Sequence, residues 1–186
     1  MRKKFTIYLN APITMAFVSI CIIALGLDYL TNGRSTMLVF STYGSSWFNP
    51  MTYVRLVCHV FGHGGINHLI SNMLYILLLG PILEEKYHDR VSLVILVTAV
   101  ITGLIHNLLQ PHVLLLGASG VVFAFILLAS ITGKEQGIPI TLILVAILWL
   151  GQEFYTGFTS ADNISQLTHI IGGVSGAIMG MLFKKK

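Results

Sequence analysis

A serine stands in the apolar stretch LLLGASGVVFAF, residues 114–125, between the small residues Gly117, Ala118 and Gly120. A hydroxyl there has two possible uses. Small residues let membrane helices approach closely, and Ser119 then serves packing. Alternatively Ser119 is a nucleophile, which needs a base and an oxyanion site at the same depth. Placed near a helix N-terminus, it would have unpaired backbone N–H groups and a positive dipole end around it, and these can hold an oxyanion.

Two other stretches hold partners for that chemistry. In LTHIIGGVSGAIMG, residues 167–180, His169 is followed by Gly172, Gly176 and Gly180. This glycine stripe admits another backbone at short range. His169 shares the side of its helix with Gly172 and Gly176, so packing of the stripe against the Ser119 helix would bring imidazole to hydroxyl. A neutral imidazole in hydrogen-bond reach acts as general base. In HVFGHGGINHLISNM, residues 59–73, His68 and Asn72 are four apart and share a helix face. Both can donate hydrogen bonds to one point; the bland alternative is that they staple a loop to the bundle.

Other readings of these residues are weaker. His59 and His63 have the i, i+4 spacing of zinc ligands, but no H-E-x-x-H pattern, cysteine or carboxylate completes a set, so no metal is expected. Cys21 and Cys58 suggest neither a disulfide framework nor a thiolate site. Asp162 and Glu153 are candidates to orient His169, yet neither clearly completes a Ser-His-Asp triad. A two-residue dyad is the simpler expectation, and it calls for no cofactor.

The elements that must position these residues are membrane helices. Of 186 residues, 55% are hydrophobic and 10% charged, and the mean hydropathy is +0.82. A soluble domain would be about 25% charged. Apolar runs cover roughly 11–30, 66–83, 91–109, 113–132, 138–155 and 164–183, each near the ~20 residues of a spanning helix. The fifth is the weakest. The expected fold is an all-α integral membrane protein, a six-helix bundle in a single domain over residues 1–186.

Charge sets the orientation. With a cytoplasmic N-terminus, nine basic residues (Arg2, Lys3, Lys4, Lys86, Arg90, Lys134 and Lys184–Lys186) fall inside and only Arg34 and Arg55 outside. Both termini are then cytoplasmic. The net charge of +4 reflects this topology and not nucleic-acid binding. The MRKK start with its long apolar run reads as an uncleaved first helix. The long outer connection from Thr31 to Gly65 is rich in aromatic and apolar residues and is expected to lie partly in the interface, with Tyr43, Trp47 and Tyr53 at headgroup level.

Taken together, these motifs resemble the rhomboid family of intramembrane serine proteases, over about Arg55 to Gly180. His68-x-x-x-Asn72, Gly117-x-Ser119-Gly120 and His169-x-x-Gly172-x-x-x-Gly176 occur in the family's order. The resemblance implies that Ser119 is the nucleophile and His169 the base. His68, Asn72 and the Ser119 backbone N–H would form the oxyanion hole. Arg55 and His63 would order the outer loop, and Glu84, in Gly80-x-x-x-Glu84, would anchor an inner helix end. Phe123 stands where a tyrosine often stacks on the histidine, and Thr168 where alanine is common. The form resembled is the minimal bacterial one, in a cell membrane with the site open to the outer side. His106, Asn107 and Gln110 are expected to line its wet cavity.

The implied activity is hydrolysis of peptide bonds in or near transmembrane segments of membrane proteins. A non-catalytic rhomboid-like protein that binds such segments is the main alternative; relatives of that kind lack the serine or the histidine. A small transporter would need acidic residues at mid-membrane, and none occur there. Nothing in the sequence fixes substrate or oligomeric state.

Overall fold

In a computed structural model the chain is described over residues 8–131, at Ile140, Ile143, Leu144, Ile147 and Leu148, and over 164–182. Six α-helices are named among these residues: α1 (Pro12–Thr31), α2 (Pro50–Cys58), α3 (Ile66–Tyr87), α4 (Arg90–Leu109), α5 (Ser119–Ile131) and α6 (Ile164–Leu182). A π-helical turn at Thr36–Phe40 and a 3-10 turn at His59–Phe61 belong to the outer connection. No strand is formed among the described residues beyond one isolated bridge, Thr42 to Leu115.

Three helices, α1, α3 and α4, are long and apolar enough to cross a bilayer. They carry exposed leucine and isoleucine (Ile22, Ile23, Ile70, Leu78, Leu96) that would be a liability in water and is the natural coat of an integral membrane protein. The fifth apolar run falls largely outside the described residues, although Ile140, Ile143, Leu144, Ile147 and Leu148 are helical and exposed.

The core is built around α5, which touches α3, α4 and α6. Val121, Val122, Phe123, Ala124 and Phe125 are all buried, so α5 is covered on every side. The fourth run is not helical throughout. Residues 113–118 are extended or turned, and α5 begins only at Ser119.

A carboxylate on α3 ties that helix to the start of α1. Glu84 on α3 accepts hydrogen bonds from the backbone N–H of Ile13 (3.0 Å) and Thr14 and from the Thr14 hydroxyl. No side chain of its own caps α1, so a carboxylate from a neighbouring helix satisfies its first N–H groups and faces its positive dipole end. Gly80, one turn before, permits the approach: a Cβ there would meet Thr14 Oγ1 at 2.2 Å.

The outer connection is more ordered than a linker. Asn49 caps α2 through the Met51 N–H, with Pro50 in the first turn. Arg55 donates to Ser45 Oγ (2.8 Å) and Tyr43 Oη (3.3 Å), and its guanidinium lies 4.5 Å from the Tyr43 ring centre. Trp47, Phe48 and Tyr53 are exposed, with Phe48 at 99%, on a segment that carries few charges. Such a rim suits the membrane interface.

Candidate active site

The extended run before α5 needs hydrogen-bond partners that a helix would have supplied itself. The outer loop supplies them. Thr42 and Leu115 exchange both backbone bonds at 2.9 Å, Gly44 N–H donates to Pro111 O, and Gly117 N–H donates to His59 O at 3.0 Å. Side chains from α4 reinforce the dock. Asn107 and Thr42 bond reciprocally at 2.9 and 3.1 Å, and His106 Nε2 pairs with Val113 O at 2.9 Å. His106 and Asn107 are thus buried loop anchors, not the lining of an open cavity. Gln110 Oε1, expected beside them, is buried without a partner.

This dock delivers Gly117 in a backbone conformation with φ +125°, which favours glycine. A methyl group on Gly117 would lie 2.9 Å from Cε1 and Nε2 of His68 and 3.9 Å from Ser119 Oγ. The His68 ring edge and the Ser119 hydroxyl therefore border one point. Ser119 is half-buried and opens α5; the first backbone bond into the helix runs from Val122 N–H to Ala118 O. The N–H groups of Ser119 and Gly120 have no acceptor within their own helix.

The hydrogen bonds of His68 fix its tautomer. Gly64 N–H donates to His68 Nδ1 at 3.3 Å, so Nδ1 accepts and a neutral ring carries its proton on Nε2. Nε2 lies on the ring edge that borders Gly117. Asn72, buried on the next turn of α3, donates from Nδ2 to His68 O at 3.0 Å, and its amide has a second N–H.

His169 lies in α6, but its side chain is outside the described residues, as are Asp162 and Glu153. The packing of α6 on α5 is described. A Cβ on Gly172 would be 2.3 Å from Gly120 O, and one on Gly176 would be 2.5 Å from Ala124 Cα. Backbone meets backbone along the glycine stripe, beginning one residue after Ser119. The Phe123 ring occupies the space against Gly173, where a Cβ would come within 1.8 Å of Cε1. Gly173 is one turn along the helix from His169.

His59 and His63 each pair one ring nitrogen with a backbone carbonyl. His59 Nδ1 lies 3.1 Å from Leu56 O and His63 Nδ1 3.1 Å from Phe61 O, and no group of three metal-ligating side chains occurs among the described residues. Burial pushes both rings from 6.5 down to about 4, and for His63 the neighbouring His68, 5.0 Å between ring centres, acts in the same direction. Both are neutral at pH 7. Cys58, in the same outer connection, has its thiol pushed up by burial, which argues against a reactive thiolate.

Reasoning from spacing missed Thr42, Gly44 and Thr98. The first two act across more than sixty positions of sequence, which no periodicity reports, and a threonine such as Thr98 within an apolar run gives no distinct signal.

Comparison with known proteins identifies the family. A rhomboid domain profile matches residues 50–186. The chain is 30% identical over 139 residues to Rhomboid-related protein 1 of Caenorhabditis elegans, covering 68% of this chain and 38% of that protein. It is 34% identical over 124 residues to Rhomboid-like protease 3 of Toxoplasma gondii, with 66% and 46% covered. Against the rhomboid protease GlpG of Serratia proteamaculans it is 25% identical over 174 residues, with 90% and 61% covered. The chain thus spans between about two fifths and three fifths of the length of these relatives. With the profile covering well over half of its residues, the chain belongs to the rhomboid family.

Proposed function

We propose that this protein is an intramembrane serine endopeptidase that cleaves peptide bonds in or near transmembrane segments of other membrane proteins. Ser119 is its nucleophile and His169 its general base. His68 Nε2–H, the second N–H of Asn72 and the Ser119 backbone N–H hold the oxyanion. The observation that carries this reading is the junction at Gly117, where a donor on His68 and the Ser119 hydroxyl border the same point. Two of the relatives above, a rhomboid-like protease and a rhomboid protease by name, support it.

The steps follow from those roles. Ser119 Oγ bonds to the substrate carbonyl carbon as His169 takes its proton, and the carbonyl electrons become an oxyanion held by the three donors. On collapse, the C–N bond breaks and His169 gives its proton to the leaving amine. Water then attacks the ester with His169 as base again; the C–O bond to Ser119 breaks and the hydroxyl regains its proton. The bundle has six spanning helices with both termini cytoplasmic. Its site opens to the outer face, where water enters and where a substrate segment unwinds beside the fifth apolar run.

The test is cleavage of a single-pass model substrate by purified wild type and Ser119→Ala, each also exposed to a fluorophosphonate probe. Wild type should cleave and label, and Ser119→Ala should do neither while remaining folded. Intact turnover in Ser119→Ala would sink the mechanism. If neither protein cleaves or labels, the chain binds transmembrane segments without cutting them.

A further inference from the structure

The contact between α5 and α6 is made by glycines, and glycine contacts are close but carry little direction. A stripe at Gly172 and Gly176 allows one helix to roll or slide on another at small cost until something polar fixes it. α6 meets α4 through a pair of buried hydroxyls that does this. Ser175 Oγ donates to Gly172 O at 2.8 Å, which uses its single proton. The 3.2 Å contact between Thr98 Oγ1 and Ser175 Oγ therefore runs from threonine donor to serine acceptor. Thr98 is itself placed by its backbone, since its carbonyl accepts from Thr102 Oγ1 at 2.7 Å. Thr98 is 0% and Ser175 6% exposed, so neither hydroxyl has water as an alternative partner.

The bond ends at Gly172, whose Cα faces the carbonyl of Gly120, the residue after Ser119. His169 precedes Gly172 by three residues on the same helix. A roll of α6 of about 25° moves its Cα atoms by about 1 Å, given a helix radius of roughly 2.3 Å. A displacement of that size at a catalytic base is enough to slow chemistry by up to about a hundredfold.

We propose that Thr98 and Ser175 are positioning residues. Their hydroxyl pair locks the roll and depth of α6 against α4, and so sets where His169 stands relative to Ser119. This rests on the protease reading above. It predicts an effect on the chemical step and little effect on substrate affinity, because both side chains are buried between helices.

The experiment measures kcat and KM on a single-pass model substrate, with thermal unfolding in parallel, for wild type, Thr98→Val, Ser175→Ala, the double variant and Thr98→Ser. Each single loss of a hydroxyl should lower kcat about tenfold with KM within about twofold, in the range open to a small misplacement. The double variant should be no slower than Ser175→Ala, since that single change already removes the bond between the helices. Thr98→Ser, which keeps the donor, should retain wild-type kcat. Unchanged kcat in both single variants overturns the inference, as do additive losses in the double. A Thr98→Ser enzyme as slow as Thr98→Val would mean that shape, not the hydrogen bond, matters, and overturns it too. An inert and unlabelled wild type overturns the protease reading and this inference with it, whereas an active wild type with unaffected variants overturns only the inference.

Discussion

The side chains around Gly117 set most of the chemistry available to Ser119. His68 presents a defined N–H because Gly64 occupies its other ring nitrogen, and Asn72 follows one turn later on α3. Removing one oxyanion donor typically costs two to four kcal/mol of barrier. Asn72→Ala should therefore lower kcat by about a hundredfold or more while leaving measurable turnover; kinetics on a single-pass substrate check this, and full wild-type rate would remove Asn72 from the oxyanion hole. Much of the candidate site was legible in the sequence, because polar side chains are costly inside apolar runs and stand out there. Ser119, His68 and Asn72 were found that way. The tautomer of His68 was not legible, because it depends on the amide of Gly64, and a backbone donor has no residue type to read.

At the scale of elements, the apolar runs gave the bounds of α1, α3, α4 and α6 to within a few residues. The fourth run misled. Hydropathy cannot tell an apolar extended strand from an apolar helix, and residues 113–118 are apolar yet paired with the outer loop through Leu115 and Gly117. What stops the helix from starting earlier is this partner, more than seventy positions away at Thr42. The glycine stripe of α6, in contrast, was readable and bears a sharp prediction. In Gly172→Ala the new methyl would collide with the Gly120 carbonyl, a backbone atom that cannot turn aside. The two helices must part, at a cost of about 1–3 kcal/mol. Thermal unfolding should show the loss, and cleavage should fall further than stability alone explains, since the helix bearing His169 moves away from Ser119. A variant with wild-type melting and turnover would mean that the stripe tolerates a wider gap.

For the molecule as a whole, the neutral histidines of the outer loop tie stability to pH. His59 and His63 are held near 4 in the folded protein against an ordinary 6.5. Between those values the unfolded chain binds more protons than the folded one, so stability rises with pH across the interval. It is complete above about pH 6.5 and falls as pH drops toward 4, by on the order of 1 kcal/mol per pH unit for each ring. Unfolding in detergent micelles measured from pH 7.5 to 4 should show this slope, and His63→Gln should reduce it by about half; a flat wild-type profile would contradict the assignment. The bridge from Thr42 to Leu115 has a different consequence, for biogenesis. Helices acquire their own hydrogen bonds as they enter a bilayer, but the N–H groups of Leu115 and Gly117 have no backbone partner until the outer loop closes over them. A freshly inserted chain would hold its hydroxyl on an unformed turn, with Gly117 not yet bent and His68 not yet facing it. On the protease reading, the hydroxyl would gain its catalytic surroundings only once this contact between distant segments is made.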